Sequence, residues 1–120
     1  NHLKINLNYT FNPHVIPSFR GILSSIYVEP KKGVTINKIR LKLKKYYKLM
    51  PFVKVLSNSK GISTGNVLHT NNCEISICNT RQKNKFVIFS AIDNLIKGAS
   101  GQAVQNMNLI YNFKETKGLK

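Results

Sequence analysis

The sequence predicts an α+β domain built on a largely antiparallel mixed sheet with two main helices. Several short segments alternate apolar and polar residues as strands do, and two longer segments repeat apolar residues at helical spacing. Some of the strands are separated by connections short enough for hairpins, which favours antiparallel pairing. Because 120 residues fit one domain that buries about two-thirds of its unfolded surface, we expect residues 1–120 to form a single domain.

The first half of the chain is predicted to contain two strands followed by a helix. Residues 5–11 alternate apolar with polar side chains, and residues 22–28 are rich in strand-forming residues before a turn cluster at 29–33. Thr35 is a suitable N-cap for the helix, which Pro51 stops. One face of the predicted helix carries Ile36, Ile39, Leu43, Tyr46, Tyr47 and Met50, and the other, expected to be solvated, carries Lys38, Lys42, Lys44, Lys45 and Lys48.

The second half is predicted to contain three strands and a final helix. Residues 52–56 form a short strand, and the polar stretch 57–72 is the longest loop. Alternation beginning at Cys73 predicts the next strand, and residues 80–84 form a hairpin turn. Residues 86–92 are apolar on both faces, as expected of a central strand that is covered on two sides.

The final helix, residues 94–110, has two unlike faces and is capped by Asp93. A glycine inside a helix costs roughly 1 kcal/mol relative to alanine, so glycines beside carboxamides indicate that a ligand or another domain approaches closely. One face carries Ile96, Ala99, Ala103, Met107 and Ile110, and the other carries Asn94, Gly98, Gly101, Gln102, Gln105 and Asn108.

The formal net charge is +15, yet its distribution argues against a dedicated nucleic-acid site. Only Arg20, Arg40 and Arg81 are arginines, and the lysines are scattered as compositional drift would scatter them. A small basic module for RNA or an anionic surface stays open as an alternative. No apolar run approaches the ~20 residues that span a bilayer, and the first residues lack the apolar core of a signal peptide. We therefore expect a cytoplasmic protein without a membrane partner.

The chain is poor in groups that perform catalysis or bind metal. Its four carboxylates are not paired in sequence, and no glycine-rich phosphate loop follows a strand. Cys73 and Cys78 match no zinc-binding pattern and point to opposite faces of a strand, so we expect two buried, reduced thiols. The sequence therefore predicts no catalytic residue and no metal site in this chain.

Two residues near the start are candidates for ligand binding. Arg20 has the planar fork that holds a carboxylate or phosphate bidentately, and the alternative is a surface ion pair. His14 lies between two prolines, where a structural or ligand-lining role is favoured over acid/base work because no nucleophile is close in sequence.

Four segments, in the same order, are similar to the N-acetyl-gamma-glutamyl-phosphate reductase family. The longest is SAIDNLIKGASGQAVQNMNL, which includes most of the final helix. The resemblance covers nearly the whole chain and corresponds to the C-terminal part of those enzymes. It implies a fold like the C-terminal domain of semialdehyde dehydrogenases and glyceraldehyde-3-phosphate dehydrogenase. The matching segments are residues 90–109 with 115–119, residues 11–17 with 20–23, residues 32–35 and residues 51–55.

The resemblance implies an oxidoreductase of arginine biosynthesis that reduces N-acetyl-glutamyl phosphate to N-acetyl-glutamate 5-semialdehyde with NADPH. In the family a Rossmann domain carries the dinucleotide and a nucleophilic cysteine, and neither Cys73 nor Cys78 has the matching context. The resemblance thus implies that this chain lacks the Rossmann domain, is inactive alone and forms a homo-oligomer. A decayed reductase fragment is a further alternative.

The resemblance also implies roles for individual residues. Ser18 and Arg20, with His14 nearby, match the loop expected to bind the acyl-phosphate substrate. The helix at 94–110 is expected to pack on the missing Rossmann domain. Around residues 64–74 the match is partial, because His69 replaces an expected glycine and Gly65 an expected lysine. The positions expected to approach NADP are Asn94, Gly98 and Gln102.

Overall fold

The computed structural model of the chain describes residues 8–57 and 61–120, which form an α+β fold as the sequence predicts. Besides strands and α-helices there is one 3-10 turn at Thr64–Asn66 and one π-helical turn at Ile96–Ser100. The main elements are β1 (Ile22–Val28), α1 (Ile36–Tyr46), β2 (Val53–Val55), β3 (Cys73–Asn79), β4 (Phe86–Ile92) and α2 (Gly101–Ile110).

The sheet is mixed and largely antiparallel, which confirms the prediction. Its four strands lie in the order β1-β4-β3-β2. β4 pairs antiparallel with both β1 and β3, whereas the short β2 pairs parallel with β3. β4 is therefore a central strand, as its apolar sequence on both faces predicts. The hairpin turn between β3 and β4 lies at residues 80–85, close to its predicted position.

The core is centred on β3 and β4 and occupies both faces of the sheet. Ile75 and Ile77 are buried on one face, and Val87 and Ala91 are buried on the other. The edge strand β1 is different, because apart from half-buried Val28 its apolar side chains on both faces remain exposed, with Tyr27 at 74%. An exposed apolar edge of this kind is typical of a surface that meets a partner.

Helix α1 begins where the sequence predicts but ends earlier. Thr35 caps it by accepting a hydrogen bond from the backbone N–H of Lys38 (3.3 Å). The helix ends at Tyr46 instead of continuing to Met50, and both of these side chains are exposed. No residue of α1 is fully buried, and its apolar face is at most half-buried. The residue before a proline is disfavoured in helical conformation. Pro51 therefore disfavours a helix that extends to Met50.

The first predicted strand is wrong for the part that the structure describes. Residues 5–7 lie outside the described residues, and residues 8–11 are exposed and join no strand of the sheet. Tyr9 and Phe11 are about four-fifths exposed. Alternation identifies a segment with one apolar face, but it does not supply the neighbouring strand that a β-ladder needs.

The final helix is not a continuous α-helix over 94–110, which corrects the prediction. Residues 96–100 form a π-helical turn, and α2 begins at Gly101. The backbone N–H of Ser100 bonds to the carbonyl of Leu95 (3.3 Å), and the Ser100 hydroxyl donates to the same oxygen (2.9 Å). Single π-helical turns of this kind are found frequently at functional sites.

Cys73 and Cys78 are free, but both are half-buried, whereas the sequence predicts that they are buried. Sγ of Cys73 lies 3.3 Å from the hydroxyl of Ser90 on the adjacent strand. Across residues 8–57 and 61–120, neither helix has the length and apolar character that crossing a bilayer requires.

Candidate functional site

A cleft of about 620 Å³ opens between the loop before β1 and the loop before β3. The sequence-predicted residues Ser18 and Arg20 both line it, together with three residues that were not predicted. Because the loops come from distant parts of the chain, only the fold brings these residues together. The residues that line the cleft are Ser18, Phe19, Arg20, Leu68 and His69.

Arg20 is held at this cleft by two partners from different loops. Its Nη1 lies 3.5 Å from Oδ2 of Asp93, and the Arg20 side chain is 22% exposed while that of Asp93 is fully buried. The same Nη1 donates to Nδ1 of His69. An arginine that is paired on one side and partly open to solvent on the other retains donors for an external anion.

Asp93 connects the cleft to the start of the final helical segment. Its Oδ1 accepts from the backbone N–H of Leu95 (2.8 Å) and Ile96 (3.1 Å), and its Oδ2 accepts from that of His69 (2.8 Å). Burial favours the neutral acid, but these three N–H donors and the Arg20 charge outweigh burial and place the pKa of Asp93 below its ordinary value. Asp93 thus caps the start of the final helical segment, as predicted, and also carries a charge that attracts Arg20.

The loop that bears Arg20 is fixed at Gly21. The backbone N–H of Gly21 donates to Oδ1 of Asn94 (2.8 Å), and the Ser18 hydroxyl donates to the carbonyl of Arg20 (2.8 Å). Gly21 has a φ of +103°, and a Cβ there would lie 2.6 Å from Cβ of Thr64. The loop can follow this path only with glycine at position 21.

Replacing Gly21 with alanine is expected to lower the free energy of unfolding by about 2 kcal/mol, from backbone strain together with the clash at Thr64. Gly33→Ala is the matched control, since Gly33 also has a positive φ but no atom lies within 4 Å of its Cβ position. Urea unfolding of both variants measures the difference. Equal losses would show that the contact with Thr64 contributes nothing.

His14 does not share this cleft. It is exposed, and its Nδ1 lies 3.1 Å from the carbonyl oxygen of Asn12 in its own loop. The structure therefore brings together two of the three predicted substrate-binding residues, Ser18 and Arg20, and leaves His14 outside the residues that line the cleft.

The three predicted cofactor-binding residues lie along the beginning of the helical segment. Asn94 is half-buried and its Oδ1 is occupied by Gly21, while Gly98 and Gln102 are exposed. Oε1 of Gln102 accepts from Nδ2 of Asn106 (2.9 Å). A Cβ on Gly98 would meet no atom closer than 3.5 Å, so internal packing does not require glycine there.

The other half of the amide face is internal, which corrects the expectation that it faces an external partner. Asn108 is buried and its Nδ2 donates to the backbone carbonyls of Glu115 (3.1 Å) and Lys117 (2.9 Å). Gln105 accepts from Asn71 (2.9 Å) and donates to the Glu115 carboxylate (2.6 Å). These carboxamides hold the chain's own last residues against α2. On the apolar face of α2, by contrast, three residues are exposed, namely Ala103, Met107 and Ile110.

Gly101 contributes to the same internal packing. It is buried, and a Cβ there would lie 2.4 Å from Oδ1 of Asn71 and 2.9 Å from the carbonyl oxygen of Ile96. Oδ1 of Asn71 is itself buried with no hydrogen-bond partner among the described residues. A second cleft of about 330 Å³ lies beside Gly101 and shares His69 with the first.

His69 lines both clefts but was not among the site residues predicted from the sequence. Its backbone φ is 61°, in the left-handed region that glycine adopts freely. This backbone conformation agrees with the glycine that the resemblance leads one to expect at position 69. The replacement of that glycine by histidine was the signal in the sequence that could have identified the residue, because a side chain at a position suited to glycine requires an explanation.

The chain is similar to a known domain family and to enzymes of one name. Residues 1–94 match the model of the semialdehyde dehydrogenase dimerisation domain. N-acetyl-gamma-glutamyl-phosphate reductase of Clostridium kluyveri is 47% identical over 97% of the chain, and that of Clostridium botulinum strain Eklund 17B is 45% identical over 99%. The reductase of Pelobacter propionicus is 46% identical over 92%. The chain spans about a third of the length of these relatives, at 34%, 35% and 32%.

Proposed function

Because the chain belongs to the semialdehyde dehydrogenase dimerisation-domain family, we propose that it is the substrate-binding and dimerisation part of a cytoplasmic N-acetyl-gamma-glutamyl-phosphate reductase. That enzyme would reduce N-acetyl-glutamyl phosphate to the 5-semialdehyde with NADPH in arginine biosynthesis. The relatives that carry this name match nearly the whole chain at 43% to 47% identity. Since the chain spans a third of their length, the dinucleotide fold and the nucleophile belong to the remaining two-thirds in this proposal.

The observation that carries the proposal is the Arg20 cleft. The proposed substrate bears a phosphate and a carboxylate, and a guanidinium recognises either group with two parallel N–H donors. Buried Asp93 keeps Arg20 at the cleft without covering it, since the Arg20 side chain remains 22% exposed. Ser18 lines the same cleft, and its hydroxyl oxygen still has a lone pair for a donor on the substrate.

For NADP, the residues of the helical segment fit a contact from outside. Gly98 is exposed and not required by internal packing, so its missing side chain is explained by close approach of another group to this backbone. The Asn94 amide nitrogen keeps both N–H donors, because only its oxygen is used within the described residues. In this proposal Asn94, Gly98 and Gln102 would contact the cofactor, which supplies the hydride when bound.

In this proposal neither cysteine of the chain is the nucleophile that attacks the acyl phosphate. Cys73 lies on β3 beside Ser90, and Cys78 lies further along the same strand. Neither cysteine lines the cleft with Arg20. The proposal therefore assigns this chain to binding and orientation, with turnover only in the assembled enzyme.

We also propose that the assembled enzyme is a homo-oligomer that uses the sheet edge. β1 exposes apolar side chains from Ile22 to Tyr27, including Leu23 at 48% and Ile26 at 49%. An edge strand with free backbone donors and apolar faces is unfavourable in water unless it is covered by a partner.

The test is a hybrid reductase in which residues 1–120 replace the matching segment of the Clostridium kluyveri enzyme. We expect NADPH oxidation that depends on N-acetyl-glutamyl phosphate in the hybrid, and none with residues 1–120 alone. A correctly folded hybrid that binds NADPH but shows no turnover would contradict the proposal. So would turnover by residues 1–120 alone, because the chain would then contain its own nucleophile.

Within that hybrid, Arg20→Lys is expected to raise KM for the acyl phosphate about tenfold or more, because lysine is a point donor that cannot bind bidentately. The loss of unfolding free energy should be far smaller than the loss of binding free energy that this rise in KM represents. Arg81→Lys is the matched control, since Arg81 is exposed in the β3–β4 turn and away from the cleft. If Arg20→Lys lowered the free energy of unfolding by as much as it lowered the free energy of substrate binding, Arg20 would serve only as the structural partner of Asp93.

A further inference from the structure

We propose that His69 is a positioning residue that fixes the Arg20 guanidinium at the cleft and so determines how tightly an anionic substrate group is captured. The inference rests on the proposed function for the identity of the substrate, but the contact itself belongs to this chain.

The carboxylate of Asp93 cannot fix the guanidinium by itself. Its two oxygens already accept three backbone N–H donors at 2.8–3.1 Å, whereas Nη1 of Arg20 lies 3.5 Å from Oδ2. An interaction at 3.5 Å attracts the charge but does not define the orientation of the fork. The directional contact of Arg20 is the one with Nδ1 of His69.

The same contact determines which tautomer the neutral imidazole ring adopts. Arginine is always protonated and has no acceptor, so Nδ1 of His69 must be the acceptor and the ring proton of the neutral form lies on Nε2. Nε2–H has no hydrogen-bond partner among the described residues, and His69 is exposed at the cleft. The cleft thus combines the free donors of Arg20 with a second donor from the opposite loop, which is chemistry suited to a phosphate or carboxylate.

The backbone separates the role of the ring from that of the loop. His69 has a φ of 61°, which glycine adopts freely and asparagine adopts more readily than most residues. Oδ1 of asparagine can lie where Nδ1 of histidine lies, at the same number of bonds from the backbone. His69→Gly therefore removes the acceptor without straining the loop, and His69→Asn retains an acceptor for Arg20 but removes Nε2.

The experiment compares these two variants in the hybrid reductase. His69→Gly is expected to raise KM for N-acetyl-glutamyl phosphate about tenfold, with kcat within about twofold and no loss of stability. His69→Asn is expected to recover most of the lost affinity, because positioning needs the acceptor. An unchanged KM in His69→Gly, or no recovery of affinity in His69→Asn, would overturn the role of His69. The proposed function would still hold in that case, provided that the unmodified hybrid is active.

A second measurement decides the contact without turnover. In the ¹⁵N-labelled 120-residue chain, the guanidinium of Arg20 should show slowed rotation and a distinct Nη signal that His69→Gly abolishes and His69→Asn retains. Inorganic phosphate, used as the probe, should shift the Arg20 Nε signal at lower concentration in the unmodified chain than in His69→Gly. Identical Arg20 signals and phosphate titrations in both chains would refute the positioning role, even if the hybrid were inactive because the proposed function is wrong.

Discussion

Replacing Asp93 with asparagine is expected to lower the free energy of unfolding by about 3 kcal/mol, the largest effect of any single polar substitution proposed for this chain. Asparagine keeps one carbonyl oxygen, so it can still cap the backbone N–H groups of Leu95 and Ile96. Its amide nitrogen then occupies the place of Oδ2, where it meets the N–H of His69 and the guanidinium of Arg20. Donors face donors in a fully buried position, and Arg20 loses its countercharge.

The effect should depend on pH in a defined direction. The pKa of Asp93 in the folded chain lies below its ordinary value of 3.8, so the ionised carboxylate stabilises the fold above the unfolded-state pKa. This contribution is lost as pH falls through the folded-state value. The difference in unfolding free energy between the unmodified chain and Asp93→Asn should therefore be constant near neutral pH and shrink below about pH 4.

Urea unfolding monitored by circular dichroism, at pH values from about 3 to about 7, measures this difference. This range includes the pH at which an ordinary aspartate carboxyl titrates. Glu29→Gln is the matched control, because Glu29 is exposed and the same acid-to-amide change there should alter stability by less than about 0.5 kcal/mol. A pH-independent loss in Asp93→Asn would mean that the carboxylate acts by shape and not by charge.

The sheet was predictable because its strands carry their signals locally. Residues 86–92 are apolar on both faces, and the strand found there is central and has the predicted bounds. Thr35 indicates the start of α1 because it is a typical N-cap residue, and it caps the helix in the structure. The failures arise where the outcome depends on a distant partner. Residues 8–11 have the alternation of a strand, but no strand among the described residues pairs with them.

The site was predictable only as separate residues. Arg20 and Asp93 were each identified from the sequence, as an anion ligand and a helix cap, but the ion pair that joins them spans most of the chain and depends on the folded sheet. His69 carried no local signal except its mismatch with an expected glycine. The amide face of α2 shows the opposite error, since composition indicates polar contacts but cannot tell an external ligand from the chain's own residues at Glu115 and Lys117.

Replacing Gly101 with alanine is expected to destabilise the fold by about 3 kcal/mol, although alanine is the better helix former. Gly101 begins α2, and its added Cβ would lie 2.6 Å from Cγ2 of Ile96 besides its conflict with Asn71. Asn71 cannot withdraw easily. It is fully buried, its Nδ2 bonds to Gln105, and its backbone N–H donates to the carbonyl of Lys120 (2.6 Å).

Gly98→Ala provides the matched comparison three residues earlier, because its Cβ would find only ordinary contacts at 3.5 Å and beyond. We expect it to raise the free energy of unfolding by about 0.5 kcal/mol by restricting the unfolded chain. Urea unfolding should therefore give opposite signs for the two variants. Opposite signs mean that Gly101 serves internal packing, whereas Gly98 is free to serve a group outside the chain. If both variants were stabilised alike, Asn71 would not constrain α2, and the division of this helix face into an internal and an external half would be wrong.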